Sequence, residues 1–143
     1  MSDLAALRIL VVDDDPLQLH TSRRILTRLG FEVTTCDDGD CAKTFFEQWL
    51  ERRSRGEESR AAPFDLVIMD VMLRDGGDGL TIFEELRQMA PEQRGLLVSG
   101  HPLQDRAAQA QRLGLAWLGK PYTADALAEA VRVALVSPVP PAS

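Results

Sequence analysis

Asp65-Leu66-Val67-Ile68-Met69-Asp70, followed by Val71-Met72-Leu73-Arg74-Asp75-Gly76-Gly77-Asp78-Gly79, is the stretch of sequence that decides the fold. Four consecutive apolar residues, two of them β-branched, lie between a carboxylate and a turn rich in Gly and Asp. That is the pattern of a short strand buried on both faces, as in a parallel sheet. Asp70 then stands at the carboxyl edge of a central strand. Open α/β sheets bind ligands at that edge, so a charged side chain there is a candidate for chemistry.

Upstream, Arg8-Ile9-Leu10-Val11-Val12 is a second apolar run, and it stops at Asp13-Asp14-Asp15-Pro16. Pro16 suits the first helical position and Asp15 the cap before it. Leu19, Ile25, Leu26 and Leu29 supply the apolar stripe of that helix, and Gly30 is placed to end it. Residues 32–36 alternate weakly, as a more exposed strand would, and Asp37-Asp38-Gly39 is turn chemistry. Cys41, Ala42, Phe45, Phe46, Trp49 and Leu50 form the clearest helical stripe of the chain. Residues 51–62, charged and free of large apolar groups apart from their flanks, are expected to be a surface loop or frayed helix end.

Downstream, Ile82, Phe83, Leu86 and Met89 mark a helix that Pro91 closes. Gly95-Leu96-Leu97-Val98-Ser99 is another buried strand, and Gly100-His101-Pro102 a turn. Residues 103–113 are helical by composition but poorly supplied with large apolar groups, with Leu103, Ala107, Ala110 and Leu113 expected on one face. Ala116-Trp117-Leu118-Gly119 is a short last strand, Lys120-Pro121 a turn, and Leu127, Ala128, Val131 and Leu135 the stripe of a final helix. Trp117, like Phe45, Phe46 and Trp49, is expected in the core. One domain is expected over residues 1–136, with the Pro- and Ser-rich residues 137–143 a disordered tail or linker.

With 143 residues, 45% hydrophobic and 27% charged, the chain suits a single globular domain. A net charge of −6 argues against direct nucleic-acid binding, which needs a clustered basic surface. Arg52, Arg53, Arg55 and Arg60 are interrupted by Glu51, Glu57 and Glu58 and suit a solvated loop. Cys36 and Cys41 make no disulfide framework and have no metal-ligand spacing, which fits a reducing cytosol. No run approaches the roughly 18 apolar residues of a membrane span, and the start lacks a signal pattern, so no membrane partner and a cytoplasmic location are expected. Walker-type phosphate loops are absent.

Alternating strands and helices imply a parallel α/β sheet covered on both faces. Asp13, Asp70 and Ser99 end three strands and Lys120 follows a fourth, so the four meet if those strands are neighbours. Two like charges at ~4 Å repel by about 4 kcal/mol at an effective dielectric near 20, so a cluster of Asp13, Asp14 and Asp70 needs a cation. Mg²⁺ suits such oxygen ligands together with an incoming phosphate. Lys120 adds a movable positive charge and Ser99 a hydroxyl. Phosphoryl transfer to an aspartate needs such a set, since it is mostly positioning and charge neutralisation. Asp15 reads as a helix cap only, and His20 as a solvated residue.

Asp13-Asp14, Asp70, Ser99 and Lys120-Pro121, at these separations, resemble the receiver domain of two-component response regulators over residues 8–136. The resemblance implies a flavodoxin-like (βα)5 doubly wound sheet with strand order 2-1-3-4-5. It also implies that Asp70 accepts a phosphoryl group from the phosphohistidine of a histidine kinase or histidine phosphotransfer protein. Asp14, Asp70 and the Met72 carbonyl would then ligate Mg²⁺, Asp13 would contribute through water, and Ser99 and Lys120 would bind the phosphoryl oxygens. Phosphorylation would switch binding to a downstream protein through the last helix-strand-helix face. Trp117 stands where the family usually keeps a Tyr or Phe that reorients, and His101 where the family tunes acyl-phosphate hydrolysis. The loop after Asp70 departs from the family: Arg74 replaces a Pro, and a second Gly intervenes. That longer loop and the Val98-Ser99-Gly100-His101 turn resemble receivers attached to hybrid histidine kinases, which makes an excised module one alternative. Others are a metal-dependent phosphohydrolase with an aspartyl intermediate, although Met72 stands where its second carboxylate would be, and a pseudo-receiver that needs no phosphate.

Overall fold

The computed structural model describes residues 6–73 and 77–141. Arg74, Asp75 and Gly76, on which the expected loop departure partly rests, lie outside the described residues. Among those described, five strands alternate with five α-helices: β1 Arg8–Val12, α1 Pro16–Arg28, β2 Glu32–Cys36, α2 Gly39–Ser54, β3 Leu66–Asp70, α3 Gly79–Met89, β4 Gly95–Ser99, α4 Ala107–Arg112, β5 Ala116–Gly119 and α5 Ala124–Val136. All pairings are parallel, and the sheet order is β2-β1-β3-β4-β5.

The two-residue period of the strands divides the core cleanly. Leu10, Val12, Val67, Met69 and Leu97 face a layer built on Phe46 and Trp49 of α2 and Phe83 and Leu86 of α3. Ile9, Val11, Leu66, Ile68, Leu96 and Val98 face Leu26 of α1 and Leu127 and Val131 of α5. Every residue of β3 and β4 is buried, as apolar runs with cover on both faces require. Burial of such side chains stabilises by about 1.5–3 kcal/mol each, and the sheet is therefore held from both sides.

The helix starts follow from local chemistry. Asp15, Asp38 and Asp78 accept hydrogen bonds from Leu17, Cys41 and Leu80 N–H at the starts of α1, α2 and α3, and Thr123 caps α5 through Ala126 N–H. Pro16 opens α1 and Gly30, at φ +97°, follows its end.

Several expectations need correction. α2 continues to Ser54, about one turn beyond Leu50: Arg55 pairs with Glu51 and Glu57, and Arg53 lies over the Trp49 ring, so charged residues finish the helix by pairing and stacking. Segment 103–113 is broken into a 3-10 turn, Gln104–Arg106, and the short α4. The tighter turn shifts the helical phase, so Ala107 is exposed while Ala110 is buried. Trp117 is 44% exposed because β5 is an edge strand that α4 covers incompletely. Cys36 and Cys41, expected to make no disulfide framework, are joined as a disulfide, their Cα atoms 5.7 Å apart across the β2–α2 corner. In the segment expected to be a tail or linker, residues 137–141 lie against the amino edge of the sheet: Arg94 Nε donates to Ser137 O at 2.9 Å, and Pro140 packs against Gly114.

Gly79 is required by close approach rather than by a special dihedral. A Cβ there would overlap the Asp70 carbonyl oxygen and crowd the Met69 side chain, and backbone cannot yield as a flexible side chain can. Gly79→Ala is expected to lower unfolding free energy by about 3 kcal/mol, measured by urea denaturation, with an unchanged m-value.

Candidate functional site

Strand register assembles the site. Val12 pairs with Met69, Asp70 with Val98 and Ser99 with Gly119, so the residues at or just beyond the carboxyl ends of β1, β3, β4 and β5 stand side by side. Asp13, Asp14 and Asp70 each offer a carboxylate oxygen, and these oxygens lie within 4.8 Å of one another. Asp13 and Asp70 are buried, 2% and 6% exposed, so solvent does little to screen them. The Lys120 ammonium bridges the two, donating to Asp13 Oδ2 at 2.7 Å and to Asp70 Oδ2 at 3.2 Å.

The two carboxylates that Lys120 bridges are also held from behind. Asp13 Oδ1 accepts from Asp15 N–H at 3.0 Å, and Asp70 Oδ1 from Met72 N–H at 3.2 Å. Met72 and Asp78 form an antiparallel bridge closed by Leu73 N–H to Gly77 O and Gly79 N–H to Val71 O. In such a pair the polar groups of the bridging residue point away from its partner, so the Met72 carbonyl is directed to the same side as the N–H that meets Asp70.

The charges shift one another unequally. Burial pushes the Asp70 carboxyl above the ordinary carboxylate range; the Lys120 charge pulls it back, Asp13 adds to the push, and the net shift is upward. For Lys120, burial favours the neutral amine, but the hydrogen bond to Asp13 and the charges of Asp70 and Asp13 outweigh it and hold the ammonium above its ordinary value. Lys120 therefore gains from the cluster, whereas ionised Asp70 sits in it at a cost.

The three carboxylates suit a hard divalent cation. All donors are oxygens, their spacing is close to the span of two bonds of about 2.1 Å each, and one ammonium cannot offset three negative charges. A cavity of about 570 Å³ opens at the opposite edge, between Leu7, Phe64, Arg94 and Pro140, and contains none of these groups; charge, not volume, marks the site.

The sequence profile of the response regulator receiver domain matches residues 9–132. The chain belongs to the response regulator receiver domain family. Among its curated relatives are the alginate biosynthesis transcriptional regulatory protein AlgB of Pseudomonas putida, 31% identical over 121 residues, and the transcriptional activator protein PfeR of Pseudomonas aeruginosa, 34% identical over 116. These alignments cover 84% and 81% of the chain but only 24% and 33% of the two regulators. The chain thus spans about a quarter to a third of their length. A receiver domain from Clostridium thermocellum superposes with a TM-score of 0.74 at 26% identity, covering 90% of this chain and 94% of that one. NtrX of Brucella abortus does so with 0.73 at 30% identity, over 92% of this chain and 27% of its own. Receiver domains are signalling modules of two-component systems and interact with histidine kinases.

Within the receiver, the structure brings Asp13, Asp14, Asp70 and Lys120 together and places the Met72 backbone beside them. Ser99, buried at the end of β4, directs its hydroxyl into the following turn: it donates to His101 O at 2.8 Å and accepts from His101 N–H at 3.1 Å. The His101 and His20 side chains are exposed, and Asp15 is a helix cap. The Trp117 ring lies near Gly119, 3.8 Å from where a Cβ would stand, on the strand that leads into Lys120.

Sequence reasoning missed the support behind Lys120. Tyr122 OH meets Ser22 Oγ at 2.8 Å and Gln18 Nε2 at 2.7 Å, tying the segment after Lys120 to α1. The signal was present: Gln18 and Ser22 are four apart on α1, among its inward-facing positions. Arg106 pairs with Asp78, and Gln109 with Glu84, so polar contacts to α3 supplement the small apolar face of Leu103, Ala110 and Leu113 that packs on the core.

Two outcomes follow for protein kept free of divalent cations. Asp70 has a raised pKa when folded, so its ionisation weakens the fold above that pKa and has no effect below the ordinary value, where folded and unfolded chains are both protonated. Asp70→Asn is expected to unfold at a higher temperature than wild type near neutral pH, with the gap closing as pH is lowered towards 3.8 in calorimetric scans. Lys120→Met leaves buried Asp13 without its counter-charge and is expected to cost about 3 kcal/mol in denaturant unfolding.

Proposed function

We propose that this receiver takes a phosphoryl group from a phosphohistidine onto Asp70 in a Mg²⁺-dependent reaction and thereby changes its binding to a downstream protein. The observation that supports it most strongly is the Asp70 carboxylate at the edge of the central strand, bridged to Asp13 by Lys120 and within a three-carboxylate cluster. Asp14, Asp70 and the Met72 carbonyl would hold the cation, with Asp13 contributing through water. When bound, Mg²⁺ offsets the negative charge that gathers on the transferring phosphoryl oxygens.

The chain's own groups account for the rest. An Asp70 oxygen attacks phosphorus, the P–N bond to the donor imidazole breaks with its electron pair remaining on nitrogen, and an acyl phosphate forms. Lys120 makes its shorter bond to Asp13 and its longer one to Asp70, so the contact to Asp70 is the one it exchanges for a phosphoryl oxygen while Asp13 keeps the ammonium in place. Ser99 reaches a phosphoryl oxygen by turning its hydroxyl away from His101. That releases the 100–102 turn and couples the chemistry to the 3-10 turn and α4 beyond it.

The donor is a histidine kinase or histidine phosphotransfer protein, the receiver unit is residues 1–136, and its compartment is the cytoplasm. The net charge of −6 weighs against direct nucleic-acid contact by this unit. Incubation with a small acyl-phosphate or phosphoramidate donor and Mg²⁺ is expected to give one acid-stable, base-labile adduct at Asp70 by peptide mass mapping. Asp70→Asn or chelation of the cation should abolish it, and hydrogen exchange in residues 100–120 should change on labelling. Uptake by Asp70→Asn at the wild-type rate would refute the assignment.

A further inference from the structure

We propose that Cys36 and Cys41 are a reversible redox pair whose state sets the β2–α2 corner against Asp13 and so tunes the cation affinity of the acidic cleft. The coupling rests on the reading of that cleft as a cation site. Cys36 is the last residue of β2, buried at 2% exposure, and its carbonyl accepts the Asp13 N–H at 3.1 Å. Cys41 lies in the first turn of α2 and is partly exposed, with its own N–H donating to the Asp38 cap at 2.8 Å. The disulfide therefore ties the cap of α2 to the strand end on which Asp13 hangs, and Asp13 in turn holds Lys120. These are the only two cysteines in the sequence, so neither has a competing partner within the chain.

A low-molecular-weight disulfide such as oxidised glutathione supplies the oxidant. The Cys41 thiolate attacks one of its sulfurs and releases one glutathione thiolate. The Cys36 thiolate then attacks Cys41 Sγ in the mixed disulfide and releases the second. Two protein thiols become one disulfide, one glutathione disulfide becomes two thiols, and the protons pass between them through solvent. Oxidation closes the corner and holds the Cys36 carbonyl against Asp13 N–H; reduction removes that cross-link and leaves the corner to the Asp38 cap and the β1–β2 ladder.

The test equilibrates the full chain across ratios of reduced to oxidised glutathione, traps it with acid and an alkylating agent, and counts alkylated cysteines by intact mass. Mg²⁺ affinity of the two end states is then measured by calorimetric titration, beside Cys41→Ala, which keeps Cys36 in its packed position, and Cys36→Ala. The expected result is one transition from two alkylated cysteines to none, and Mg²⁺ binding about fivefold tighter in the oxidised form. Both variants should bind like the reduced form under either condition. A pair that stays reduced, stays oxidised or stops at the mixed disulfide across the whole series overturns the redox pair. Equal Mg²⁺ affinity in both forms overturns the coupling. Absence of Mg²⁺ binding in both forms instead refutes the reading of the cleft, and the coupling with it, while the alkylation count still decides the redox pair.

Discussion

The Lys120 ammonium between Asp13 and Asp70 is the contact on which the carboxyl edge of this sheet depends. Two buried carboxylates at such range repel by about 4 kcal/mol at an effective dielectric near 20, and Asp14 adds a third charge. One ammonium offsets part of this. The remainder makes the cluster one that could hold a small, doubly charged cation. The fold is stabilised elsewhere, by the two apolar layers on either side of β3, and that stability allows the edge to carry an unfavourable charge arrangement.

The same edge adjoins a thinly packed surface. Ser99 is held by the His101 turn, and the segment that follows packs only Leu103, Ala110 and Leu113 on the core: a 3-10 turn, then a short helix whose one buried residue is Ala110. Its attachments to α3, Arg106 to Asp78 and Gln109 to Glu84, are polar and partly exposed, and contacts of that kind contribute at most about 1 kcal/mol each. An element held so lightly next to a site that changes charge is suited to two-state behaviour. On the other side of the site, Tyr122 pins the segment after Lys120 to Ser22 and Gln18 of α1.

The centre of the sheet was legible in the sequence because β1, β3 and β4 are apolar runs that lead into Asp13, Asp70 and Ser99. Once β1, β3, β4 and β5 are neighbours, register alone brings Asp13, Asp70, Ser99 and Lys120 to one edge. The strand order itself came from family resemblance, since no local pattern distinguishes it from other parallel orders. What stayed hidden depends on the third dimension. The closing of Cys36 on Cys41 follows from how tightly the β2–α2 corner turns, and the exposure of Trp117 from how little of β5 the short α4 covers. Where α2 stops within residues 51–62 was left open between loop and helix end, because charged residues can finish a helix by pairing with one another and stacking on Trp49. The orientation of the Ser99 hydroxyl has no signature in sequence.

The central claim is that three carboxylates and one lysine leave a net demand for a divalent cation at the carboxyl edge. Thermal unfolding of wild type and Asp14→Asn against Mg²⁺ concentration, at constant ionic strength, tests it most directly. The account predicts a midpoint that rises with the logarithm of Mg²⁺ concentration in wild type and stays flat in Asp14→Asn. A flat response in wild type, or an equal rise in both proteins, would contradict it.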